Sequence, residues 1–200
     1  MITLEELRPG DVIFPTIDGY AGILVGAGQI LLGDATKEEW KVRHVAMVTQ
    51  AQRVGSLPHI VQAMPHGAEE VQLSPESFAS GFPILRPHYY EQGGVFSDPP
   101  YPAQSYDAAE SARRYIGVPY SFLDYAAIAG RHALAMQPTK RTPFDNYITT
   151  TGHMICSQLV DQALTDTDYH VFDDGRIPQD VTPAALYRKL KTMPGTLTLR

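Results

Sequence analysis

A single cysteine in 200 residues excludes an intrachain disulfide, and no C-x-x-C pair or Cys/His cluster offers a structural zinc site. The redox compartment stays open on this count, because a free thiol is compatible with the cytosol and survives outside it. Positive charge is also scarce. With 16 Lys and Arg against 22 Asp and Glu the formal net charge is -6, which gives no electrostatic case for a nucleic acid or an anionic membrane surface as partner. Long apolar runs are missing too. The longest, Tyr20 to Gly33, is too short and too rich in glycine to cross a bilayer, so no integral membrane segment is expected. The opening Met1 to Gly10 is polar and acidic without an apolar centre, so synthesis in the cytoplasm without a secretory signal is expected.

Several signatures of chemistry are lacking as well. There is no G-x-S-x-G elbow, which disfavours a serine α/β-hydrolase, and no P-loop. Gly26-Ala27-Gly28 begins like a dinucleotide fingerprint, but Leu31 stands where the third glycine belongs. His44, His59 and His66 lack the H-E-x-x-H spacing and a carboxylate at a helical offset, so no metal site is expected. Arg86, His88, Tyr89 and Tyr90 read either as the wall of a cleft or as a solvated strand end.

What is present fits one domain over residues 1–200, since 44% hydrophobic and 19% charged residues suffice for a core of ordinary size. Asp11 to Phe14, reached through Pro9-Gly10, reads as a strand, and strand-like segments follow at 44–49, 59–64, 70–73 and 82–86. Tyr20, Leu24, Ala27 and Leu31 recur at helical spacing and predict a buried helix over 20–32. After the proline-rich passage Ser97 to Pro102, helices dominate. One is predicted over 105–116, with Gly117 just past its end, and one over 122–135, opened by Ser121 with Asp124. Residues 138–151 read as a loop, and Thr182-Pro183 opens a helix running to about Leu190. The order predicts an α+β fold with a small antiparallel sheet packed against helices.

The chemistry centres on Gly152 to Leu164, an amphipathic stretch with Cys156 in its first turns, capped by one of Thr149, Thr150 or Thr151. Taken alone, a lone cysteine among apolar residues is more often a small buried hydrophobe than a nucleophile. Ile155, Leu159 and Ala163 define a core-facing stripe that Val160 and Leu164 extend, which predicts Cys156 at the stripe's edge with its sulfur emerging into a cleft. A helix N-terminus and a neighbouring imidazolium both favour a thiolate, so its pKa is expected below the free thiol's value of about 8.5. The histidine candidate heads the strand Arg43-His44-Val45-Ala46-Met47-Val48. Alternation sets His44, Ala46 and Val48 on one face, from which His44 points toward a helix packed on the sheet. A strand-borne histidine is, by itself, more often a satisfied structural residue than a base.

Six blocks in order carry a resemblance: Arg8-Pro9-Gly10-Asp11-Val12-Ile13-Phe14, His44-Val45-Ala46-Met47-Val48, Ile60-Val61-Gln62-Ala63, Gly117-Val118-Pro119-Tyr120-Ser121-Phe122, Cys156-Ser157-Gln158-Leu159-Val160 and Val181-Thr182-Pro183-Ala184-Ala185-Leu186. Together they resemble the circularly permuted NlpC-type papain-like cysteine peptidases, a group that includes YiiX- and YaeF-like enzymes and is related to the lecithin:retinol acyltransferase family. The resemblance spans roughly residues 7–190. It implies Cys156 as nucleophile, His44 as general base, Tyr120 as a donor steadying the oxyanion or the histidine, and Gln62 as the residue orienting the imidazole, where many relatives have a glutamate. A glutamine fixes a tautomer but brings no negative charge.

The implied activity is hydrolysis of an amide bond in peptidoglycan stem peptides, with no metal or organic cofactor. A wall substrate and a missing signal peptide agree for a phage protein carried in a virion or released through a holin, which would bring virion or assembly partners. The alternatives are an acyl-thioester enzyme acting on lipids or acylated proteins through the same Cys156 and His44, and a catalytically silent structural or binding domain of an assembly.

Overall fold

Val12 and Ile13 make a strand of only two residues, β1, yet it is the pivot of the sheet. On one side it pairs with β2 (Ala46–Gln50) and on the other with β5 (Ile84–Arg86). Gly10 brings the chain into this position with a φ of 86°. Its N–H donates to Val48 O at 2.8 Å, and an added Cβ would stand 2.9 Å from the Tyr89 ring, so a turn and a close approach both require glycine here. The next residue, Asp11, is buried and accepts from Arg86 Nε at 2.7 Å, Arg86 Nη2 at 2.8 Å and the Arg8 N–H at 2.9 Å. The Arg8-Pro9-Gly10-Asp11 block therefore anchors the sheet centre.

The structure, a computed structural model, describes residues 2–16, 36, 39–89, 102–120, 154–176, 178 and 181–199. The predicted helices over 20–32 and 122–135, the loop at 138–151 and the three threonines before Cys156 lie outside them. Within the described residues the fold is α+β, with a six-stranded antiparallel sheet in the order β4-β3-β2-β1-β5-β6. The hairpin of β3 (His59–Met64) and β4 (Gly67–Gln72) turns through Pro65-His66 alone. Its tightness extends β4 to Gly67, three residues earlier than the sequence pattern suggests. The last strand, β6 (Leu197–Leu199), was not foreseen; it exists by pairing with β5.

The sheet separates two apolar layers. Val12, Val45, Met47, Val61, Ala63 and Leu85 share the larger core with Ala108 and Ala112 of α2 (Ala103–Arg114), Leu159, Val160, Ala163 and Leu164 of α3 (Cys156–Thr165), and Leu186 and Leu190 of α4 (Pro183–Thr192). The opposite face is thinner. There Ile13, Ala46, Val48, Ile60 and Ile84 meet Leu7, Leu73 and Phe82, with Phe78 of the short helix α1 (Pro75–Ala79) packed against them. Thr182 caps α4 as expected, its hydroxyl accepting from the Ala185 N–H at 3.2 Å. No helix among the described residues is long and apolar enough to cross a membrane.

Candidate active site

The stripe on α3 is buried as its spacing predicts, but Cys156 is buried with it rather than standing at an edge: it is 1% exposed. The helix starts at Cys156 itself, so the N-cap is Ile155 and not a threonine at 149–151. Gln158 replaces a conventional cap, its Oε1 accepting from the Ile155 N–H at 2.9 Å. Ser157 ties the same turn to the strand of chain before α4, donating to Val181 O at 2.6 Å. The first turn is thus fixed from two sides.

Around the sulfur, backbone N–H groups of Val45, Ser157 and Cys156 itself favour the thiolate, yet burial outweighs them and pushes the thiol up from 9.0 to about 11. The expectation of a depressed pKa is corrected on this point. Among the described residues an apolar core surrounds Cys156, and burial of that kind raises a thiol's pKa by more than the helix start lowers it.

His44 lies in the extended segment before β2 and is almost fully buried. The helices pack on the face of Val45 and Met47, whereas Ala46 and Val48 line the opposite layer, so alternation does not aim His44 at α3. What reaches α3 is the backbone one residue on, through the Val45 N–H at the Cys156 sulfur. The imidazole turns to β3, where its Nε2 stands 2.9 Å from Gln62 Oε1. Its Nδ1 is buried with no hydrogen-bond partner among the described residues. Burial lowers the His44 pKa from 6.5 to about 4, against the opposing effects of the Gln62 hydrogen bond and the Glu69 charge. At neutral pH both the imidazole and the thiol are uncharged.

Tyr120 reaches this region through the backbone. The Gly117 N–H donates to Ala68 O and the Ala68 N–H to Val118 O, both at 2.8 Å, which docks the end of α2 on the free edge of β4. From there Tyr120 forms a parallel bridge with Met154, two residues before the cysteine, and the Met154 N–H donates to Pro119 O at 2.9 Å.

Sequence reasoning missed Glu69. It faces Gln62 across the β3–β4 register, and the Gln62 amide Nε2 donates to its Oε1 at 3.0 Å. His66, at the hairpin tip, stands 2.9 Å from its Oε2. The signal was the two-residue turn, which with Gln62 placed fixes residue 69 opposite it.

The three histidines considered for a metal have separate partners, with His59 beside Gln72 at 3.4 Å. Among the described residues no cluster of three or more His, Cys, Asp or Glu is poised to hold a metal ion. Arg86, His88 and Tyr89 do line a cavity, of about 360 Å³, together with Arg8, Asp11 and Ser105, but none of the four candidate residues borders it. Compared with known proteins, the chain matches no family model and no curated sequence.

Proposed function

We propose that the protein is a cysteine hydrolase of amide bonds, built on a circularly permuted papain-like frame. The observation that carries this reading is the arrangement of His44. Its Nε2 is held by Gln62, its Nδ1 is unengaged among the described residues, and the next residue's N–H meets the Cys156 sulfur. A base needs one ring nitrogen fixed and the other free.

With thiol and imidazole both neutral at rest, no ion pair waits for substrate. Instead His44 Nδ1 takes the thiol proton as the sulfur attacks the carbonyl carbon, and the new C–S bond forms while the carbonyl π pair moves to oxygen. The N–H groups at the start of α3 and the Tyr120 phenol steady that oxyanion. Collapse expels the amine, which takes the proton from His44. Water, deprotonated by the same nitrogen, then cleaves the thioester. Peptidoglycan stem peptides are the substrate that the sequence resemblance implies, with the cell wall as the place of action.

One observation favours a second reading. A thiol with a pKa of about 11 in an apolar core is also what a catalytically silent binding domain would hold. Digestion of purified peptidoglycan, with released fragments identified by mass spectrometry, separates the two. New stem-peptide termini with the wild-type chain and none with Cys156→Ala support the hydrolase. No fragments and no acyl-cysteine on the protein support the silent domain, while a fatty acyl group trapped on Cys156 points to acyl transfer.

A further inference from the structure

A glutamine between a histidine and its surroundings leaves a structural ambiguity. The amide can offer its oxygen or its NH₂ to the ring, and a neutral imidazole can answer either by shifting its proton between nitrogens. The two arrangements have nearly the same shape and opposite chemistry. In one, Nδ1 carries the lone pair and can act as base; in the other, Nδ1 carries the proton and cannot.

We propose that Glu69 is the positioning residue that resolves this ambiguity, by fixing which end of the Gln62 amide faces His44 and thereby holding the imidazole as its Nε2–H tautomer. A carboxylate only accepts hydrogen bonds, so Gln62 must present Nε2 to Glu69 Oε1, at 3.0 Å. Gln62 Oε1 is then turned to His44, 2.9 Å from ring Nε2, which must donate. The lone pair is left on Nδ1, the nitrogen with no partner among the described residues.

The rest of the hairpin keeps Glu69 in this role. His66 binds the other carboxylate oxygen, Oε2, which leaves Oε1 to Gln62. Hydrogen bonds from His66 and then Gln62 lower the Glu69 pKa, so it stays ionised and acceptor-only at neutral pH. The cross-strand pairing of Gln62 with Glu69 sets the geometry through backbone bonds and does not depend on a flexible side chain alone. The negative charge that a glutamine at position 62 does not bring is therefore supplied one hydrogen bond further out.

The catalytic consequence rests on the hydrolase reading; the tautomer does not. Both are tested in the full chain labelled with ¹⁵N-histidine, at pH 7, where His44 is neutral. The wild type is expected to show His44 as a single Nε2–H tautomer. Glu69→Gln, close to isosteric and the variant sure to be interpretable if the other misfolds, removes the constraint and is expected to give both tautomers. Glu69→Lys offers only donors, so it is expected to flip the amide and move the proton to Nδ1. On soluble peptidoglycan fragments kcat is expected to fall about tenfold in Glu69→Gln and at least about a hundredfold in Glu69→Lys with KM unchanged, as a base in the wrong tautomer would behave. An unchanged Nε2–H signal in folded Glu69→Gln overturns the assignment. Tautomer exchange in a chain that hydrolyses nothing upholds the positioning role and rejects the hydrolase.

Discussion

The Val45 backbone N–H is directed at the sulfur of Cys156 and so joins the residue after the histidine to the first residue of α3. Two elements 111 positions apart in the chain meet at this point, and the contact is made in an apolar core. A hydrogen bond to sulfur in such surroundings stabilises the anion less than burial penalises it. Catalysis at this site would accordingly begin from a neutral pair.

Alkylation of Cys156 in the native protein should therefore be slow. With the thiol at about 11 in place of 9.0, the thiolate fraction at neutral pH is roughly a hundredfold smaller, before shielding by the core is counted. Iodoacetamide at pH 7 should modify the folded chain at least about a hundredfold more slowly than the chain unfolded in urea. A native rate equal to the unfolded one would place the sulfur at the surface and contradict the burial.

Gln62 gives a paired expectation. Gln62→Leu keeps the strand and removes the hold on His44, and should lower turnover by roughly one to three orders of magnitude, less than Cys156→Ala. Gln62→Glu introduces a carboxylate beside His44, but it would face the Glu69 carboxylate, 3.0 Å from the amide it replaces. Like charges so close raise one carboxyl pKa and weaken the strand pair. Gln62→Glu should thus be active only at reduced pH, and Gln62→Glu with Glu69→Gln should recover activity near pH 7. Equal pH profiles for the single and double variants would contradict this.

Much of this fold is legible in the sequence because local chemistry decides it. β3 begins and ends as its apolar pattern predicts, and Thr182-Pro183 announces α4 by a cap followed by a residue that needs no N–H partner. Ser74-Pro75 carries the same signal for α1, and Ser74 Oγ does accept from the Ser77 N–H at 3.1 Å, although Pro75–Ala79 was not foreseen as a helix. Other features depend on partners distant in sequence. The strand Leu197–Leu199 pairs with the edge that Ile84–Arg86 offers, and at three residues its Leu-Thr-Leu alternation is too short to announce a strand by itself. The depth of Cys156 is decided by what α2, α4 and the sheet place around the first turn of α3, which the helix's own periodicity cannot show. The sequence block marks Gln62, which contacts His44, whereas only the strand register brings Glu69 opposite it.

Arg86 should prove indispensable for stability. It is the charge partner of Asp11, which is 1% exposed, and it also donates to Glu6 O at 2.7 Å. Removing it strands a carboxylate at the sheet centre, a loss of about 3 to 5 kcal/mol for a broken buried pair. Urea unfolding of Arg86→Met should show this loss, and adding Asp11→Asn should recover part of it. A loss below about 1 kcal/mol would mean that the pair is not buried in solution.

Two buried groups should set opposing slopes in stability between pH 4 and pH 7. His44, lowered from 6.5 to about 4, takes up its proton in the unfolded chain first, so it contributes stability above pH 6.5 that is lost as pH falls toward 4. Asp161 behaves oppositely. It is 4% exposed, its Oδ1 has no hydrogen-bond partner among the described residues, and burial raises its pKa from 3.8 to about 7 despite Arg176. The folded chain then holds a proton that the unfolded chain has released, and stability falls as pH rises through this window. Each effect amounts to about 3 to 4 kcal/mol. Asp161→Asn removes one of them. In urea unfolding, the stability of that variant relative to the wild type should climb by about 3 kcal/mol from pH 4 to pH 7. Parallel profiles for the two proteins would show that Asp161 is solvated and ionised throughout.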